Sequence, residues 1–182
     1  LFNYNMTLFL VVFIPLSFFL IYFNNFISNV FLGPGFRDFS YNIIPLFSIM
    51  FLLWGIKIYH FDYIFQLKEK TNIPFYVLLF GSILNIILNI IMIPRFGIVG
   101  ALYSTFISYL IILIISIILT NYLMQITFPY LLLSKVLFNL FISFLILELI
   151  SISVPIINII IFILSYLFLT FLLNRNSLRM KL

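Results

Sequence analysis

The sequence predicts an all-α, polytopic membrane helix bundle of about six transmembrane helices, and three observations carry that prediction. The chain of 182 residues is 65% hydrophobic and 7% charged, more apolar surface than a soluble domain of this length can hide. Its 25 Phe and 11 Tyr are spread along the whole length instead of being gathered in one core. Its apolar runs are continuous over about 20 residues each, with no alternation of period two. Helices are therefore favoured over a β-barrel, because a span must satisfy its backbone internally.

The first predicted span covers about residues 6–31 and contains Pro15. The segment LGPGFRD, with two glycines and a proline, then ends the run. The second span, about 39–65, contains Pro45; both prolines remove a backbone donor and can kink their helices. The charged segment QLKEKTN separates it from the third span at about 73–93, and PRFG turns the chain into the fourth at about 98–122. The fifth and sixth spans, about 131–150 and 154–173, are divided by Ser153 and Pro155, which make a helix start. A basic tail, 174–182, follows.

Six spans leave both ends on one side of the membrane. That side holds Lys68, Lys70, Lys135, Arg175, Arg179 and Lys181, whereas the opposite side holds Arg37 and Arg95. The positive-inside rule then places both termini in the cytoplasm and PRFG outside. The chain begins at Leu1 with no cleavable signal peptide and reads as the C-terminal transmembrane portion, residues 1–182, of a longer protein. The absence of Cys excludes disulfides, thiolate chemistry and cysteine metal ligands. No metal, cofactor or nucleic acid is expected.

Polar residues inside the spans are the candidate functional groups, because each is expensive in lipid. In the second span, WGIKIYHFDYIF places Lys57, His60 and Asp62 within two turns. Lys57 either snorkels to the cytoplasmic interface or faces a wet cavity, and it is the leading candidate for contact with an anionic ligand. In the third span, Asn85 and Asn89 share a face with Ser82 and either bond to a neighbouring helix or line a polar cavity. In the fourth, Gly97 and Ala101, and Gly100, Ser104 and Ser108, recur at intervals of four, a spacing that lets two backbones approach and predicts a tight hairpin with the third span. In the fifth, Lys135, Asn139 and Ser143 form a stripe, and Glu148 stands on another face as the candidate for a coupling cation or proton. No nucleophile-elbow pattern occurs, and no outward loop exceeds about ten residues, so an enzyme is not expected.

Two segments together carry a family resemblance. FLGPGFRDFSYNIIPLFSIMFLL, followed about forty residues later by NIILNIIMIPRFGIVGALYSTFISYLI, is similar to the second half of bacterial polysaccharide-repeat flippases. These belong to the exporter superfamily that also contains multidrug and toxin extruders and lipid II flippases. The matching elements are the turn of Gly33, Pro34, Gly35 and Phe36, and then Asn85, Asn89, Ile93, Pro94, Phe96, Gly97, Gly100, Ala101 and Thr105. Tyr103 departs from the pattern, in which a smaller residue is common.

The resemblance implies most of the C-terminal lobe of a two-lobe exporter in the bacterial cytoplasmic membrane, partnered by membrane lipids and an N-terminal lobe of the same chain. It implies a transporter that flips polyprenyl-pyrophosphate-linked oligosaccharide from the inner to the outer leaflet by alternating access. For that cargo Lys57, Arg37 and Arg95 are the candidate cations, while Asn85, Asn89 and Tyr41 are the candidate sugar contacts. A drug or toxin exporter and a lipid II flippase are the alternatives within the superfamily. A glycan polymerase or a scaffolding subunit are those outside it.

Overall fold

The computed structural model describes residues 2–124, 128, 130–150 and 154–179. Among them there is no β-strand. The elements are α1 (Phe2–Tyr22), α2 (Asn24–Phe31), α3 (Pro34–Ile56), a π-helical turn (Lys57–Asp62), α4 (Tyr63–Leu67), α5 (Asn72–Met124), α6 (Tyr130–Ile150) and α7 (Pro155–Arg179). Three stretches are individually long and apolar enough to cross a bilayer: Ile43–Leu67, Asn72–Leu123 and Tyr130–Ile150. The chain is a polytopic helical membrane protein.

The first predicted span is not one straight helix. It breaks at Phe23, where Met6–Tyr22 and Asn24–Phe31 meet at 75°. No proline or glycine marks this position; Pro15 lies within α1, which continues through it. The cause is long-range, since the Asn24 amide donates to the carbonyl of Tyr41, 2.9 Å away. Ser40 Oγ donates to Ser28 Oγ at 2.6 Å, and Ser28 Oγ donates to Asn24 Oδ1 at 3.2 Å. One face of the short helix α2 therefore buries polar groups, Asn24 and Ser28, which pair within the protein, while Asn25, Asn29, Val30 and Phe31 are exposed.

The turn at Gly33 and Pro34 starts α3 with a proline in its first turn, where the missing N–H has no helical partner to lose. Helix α3 then runs through Pro45 and passes directly into the π-helical turn and α4.

Helix α5 contains two passes folded back on each other at Gly97, whose φ of 59° and ψ of −136° lie outside the helical region. Only glycine takes such a conformation readily. Pro94 lies in the incoming helix, so the reversal is made by Gly97 and not by the proline. Three cross-links fix the register of the two arms. A Cβ on Gly100 would collide with the carbonyl of Met92, one on Gly81 would collide with Ile112, and Asn85 bonds to Thr105. Gly100, Ser104, Ser108, Ile112, Ser116 and Thr120, all four apart, form one buried ridge along the return arm. The small-residue stripe seen in the sequence is the upper half of that ridge.

Residues 1–128 form one compact unit and residues 129–182 a second. Within the second, α6 packs on α7. Val136, Asn139, Ser143 and Leu147 are buried on α6, and Phe162, Tyr166 and Thr170 on α7, each set with helical spacing. Helix α7 extends to Arg179, so residues 174–179 of the expected tail are helical. Residues 180–182, and the side chains of Arg175 and Arg179, lie outside the described residues.

Candidate functional site

The later half of the second span departs from α-helical geometry at the point where its charges lie. An α-helix turns about 100° per residue, so residues five apart stand about 140° from each other around the axis. A π-helix instead bonds residue i to i+5, which stacks them. Lys57 and Asp62 are the first and last residues of the π-helical turn, and their side chains meet: Lys57 Nζ donates to Asp62 Oδ2 at 2.6 Å.

The pair is held inside the protein. Lys57 is 1% exposed and Asp62 9%. The Lys57 ammonium also lies 5.4 Å from the centre of the Trp54 ring, a position in which the ring's negative face attracts a cation. Phe9 of α1 stacks on Tyr59 of the turn at 5.1 Å, covering it from another side. His60 is buried, with Phe61 and Phe128 meeting its ring edge-on at 4.8 and 5.0 Å. Asp62 Oδ1 is buried and has no hydrogen-bond partner among the described residues.

Trp54 joins this cluster to a cleft of about 390 Å³ between α3 and the return arm of α5. Phe47, Phe51 and Trp54 line it from α3, and Ala101, Thr105 and Tyr109 from α5. Trp54 and Tyr109 stack at 4.8 Å. Thr105 accepts a hydrogen bond from Asn85 Nδ2 at 3.3 Å, and Asn85 Oδ1 accepts one from Asn89 Nδ2 at 3.0 Å. Asn89 Oδ1 is buried with no hydrogen-bond partner among the described residues. Aromatic faces, a hydroxyl, an amide pair and a buried cation are thus connected through shared side chains.

The remaining sequence candidates have their own settings. Arg37 caps α2: its Nε donates to the carbonyl of Leu32 at 3.2 Å and its Nη2 to that of Asn29 at 3.1 Å. These are carbonyls that a helix end leaves without helical partners. Tyr41 supplies its backbone carbonyl to Asn24, with its side chain half-buried. Arg95 is exposed beside the α5 reversal, three residues before Ile98, which lines the cleft. Gly33 and Gly35 are exposed at the α2–α3 turn, and Ala101 lines the cleft. Glu148 is exposed on α6, and Lys135 is exposed on the same helix.

The pairing of Asp62 with Lys57 is what sequence reasoning missed, although both residues stand out within two turns. On an ideal α-helix Asp62 faces away from Lys57, which hides the pairing. The available signal was a carboxylate and a lysine inside one apolar run, where each is costly unless the other neutralises it. Among the described residues no group of three or more His, Asp or Glu side chains is arranged to hold a metal ion.

The fold and the buried charges define a polytopic helical membrane protein with an ionised pair inside one span. An uncharacterised membrane protein of Methanocaldococcus jannaschii is 32% identical over 117 residues, 64% of this chain and 22% of the archaeal protein. The chain therefore spans about a fifth of the length of the relative it matches. No protein-family profile matches the sequence, and no solved structure matches it.

Proposed function

We propose that the chain forms part of a transporter that flips polyprenyl-pyrophosphate-linked oligosaccharide repeat units from the inner to the outer leaflet of the bacterial cytoplasmic membrane. The observation that carries this reading is the cleft between α3 and α5: Thr105 in its lining bonds Asn85 of the Asn85–Asn89 pair, Trp54 in its lining stacks on Tyr109, and the Lys57 ammonium lies 5.4 Å from the Trp54 ring. Sugars bind through aromatic faces, amides and hydroxyls, and a pyrophosphate through cationic donors in a low-dielectric setting. The ordered motifs from Gly33 to Thr105 support the same family reading. Alternating access supplies the movement, with the lobe that contains this chain working against a second lobe.

In this reading both termini are cytoplasmic and the α5 reversal faces outward. The chain has no cysteine, so single cysteines report cleanly. One at Phe96 labels from outside the cell and one at Thr71 only after permeabilisation; the reverse pattern overturns the orientation.

Function is tested by reconstituting the full-length protein in vesicles with a fluorescent polyprenyl-pyrophosphate sugar. The cargo is expected to reach the opposite leaflet with its mass unchanged. A change in mass would indicate an enzyme, and no movement would leave a scaffold. Inhibition by organic cations, with no effect of the sugar lipid, would favour the drug-exporter alternative.

A further inference from the structure

We propose that Asp62 is a proton-binding site whose occupation frees Lys57 to hold an anionic headgroup, and that the π-helical turn is the element that moves between the two conditions. The identity of the anion rests on the transport reading above; the proton site does not.

The Lys57–Asp62 contact exists because the turn is π-helical, since an α-helix would separate the two by about 140°. Pair and turn therefore stabilise each other. Asp62 has one oxygen engaged by Lys57 and a second, Oδ1, buried without a partner among the described residues. A proton settling on that second oxygen neutralises the carboxylate.

The ammonium of Lys57 keeps its own proton but loses its counter-ion in a buried setting, which is costly until another anion replaces it. One proton thus enters with the anion and offsets one of its negative charges. With the pair gone, the π-turn loses the ionic contact that closes it and keeps only its packing. Relaxation to α-helix rotates α4 by about 100° relative to α3, the angle of one residue. Ile64 and Phe65, each 1% exposed, ride on α4, so the proton is coupled to a packed surface.

Competing titratable groups are few. The elements packed on the turn are α1, α3, α4 and α5. Helix α1 has no Asp, Glu, Lys or Arg; the Arg37 and Asp38 positions of α3 lie about 30 Å further along that helix, and Arg95 of α5 lies beside its reversal. On the turn itself His60 is the other ionisable group, packed against Phe61 and Phe128. Tyr59, Tyr63 and Tyr109 are the tyrosines on or beside the turn, and Lys68, Glu69 and Lys70 follow α4, with the backbone of Lys70 bonded to Phe65.

The test is binding of sulfate to the full-length protein in nanodiscs, measured from about pH 8 to about pH 5; the charge of sulfate is constant over this range, so any pH dependence belongs to the protein. Affinity is expected to tighten as pH falls, approaching about tenfold per unit where Asp62 takes its proton, because proton and anion binding are reciprocally linked. Asp62→Asn is expected to bind sulfate with no pH dependence, and Lys57→Gln to lose binding.

A flat wild-type series overturns the proposal, as does a wild-type slope in Asp62→Asn or retained binding in Lys57→Gln. The wild-type series decides alone if a variant does not accumulate. Sulfate carries neither lipid nor sugar, so pH-linked binding without sugar-lipid movement would retire the flippase reading and leave this site standing. The converse result would retire the site alone.

Discussion

The membrane helices of this chain depart from α-helical geometry at the Gly97 reversal in α5 and at the Lys57–Asp62 turn after α3, and the two places are built in opposite ways. At Gly97 the break is exposed, carries no charge of its own and depends on a backbone conformation that glycine alone takes readily. Its arms are then locked by close backbone contact at Gly100 and by the Asn85–Thr105 bond. At Lys57–Asp62 the break is buried, uses no glycine or proline, and is closed by two opposite charges. The first is a fixed hinge of covalent origin. The second is held by an interaction that a proton or a competing anion can undo.

Substitution sharpens that contrast. Lys57→Met should have the largest effect, because it leaves the Asp62 carboxylate buried without its partner: a loss of about 3–5 kcal/mol, read as the fall in folded fraction during unfolding in bicelles. Gly100→Val should come next. The group it would strike is the backbone of Met92, which cannot swing aside like a side chain, so overpacking costs about 1–3 kcal/mol and splays the hairpin. A spin-label pair on the two arms would report the separation. Asn85→Leu should be the mildest, about 0.6 kcal/mol for one interhelical bond in a membrane protein. If that variant loses sugar-lipid transport while staying folded, Asn85 contacts cargo as well as Thr105.

The contrast also explains what the sequence made legible. Continuous apolar runs exposed the helical segments, and Gly97 with the Gly100–Ser104–Ser108 spacing exposed the hairpin, because both signals are local and depend on residue size or backbone freedom. The bend at Phe23 left no local mark; it depends on Asn24 reaching the carbonyl of Tyr41, a partner seventeen residues away. Arg37 reads as a cation available to a ligand, and two of its five N–H donors bond the end of α2, the helix that begins at that bend.

Lys57 stood out as an ionisable residue in an apolar run, yet its partner did not, since assuming an α-helix puts Asp62 on the wrong face. Glu148 attracted attention as an acidic residue within a span, whereas Asp62 is the buried carboxylate among the described residues. A π-turn has no compositional signature comparable to Gly97, and its presence follows from packing and charge. The lower half of the α5 ridge, Ser116 and Thr120, was likewise hidden among isoleucines and leucines.

The central claim is that Lys57 and Asp62 act as one unit inside the membrane. A double-mutant cycle of Lys57→Met, Asp62→Leu and the double variant, measured by unfolding in bicelles, tests it most directly. Each single variant is expected to lose about 3–5 kcal/mol and the double variant to recover most of that loss, because two apolar side chains bury without a desolvated charge. Additive losses, with a coupling energy near zero, would contradict the account.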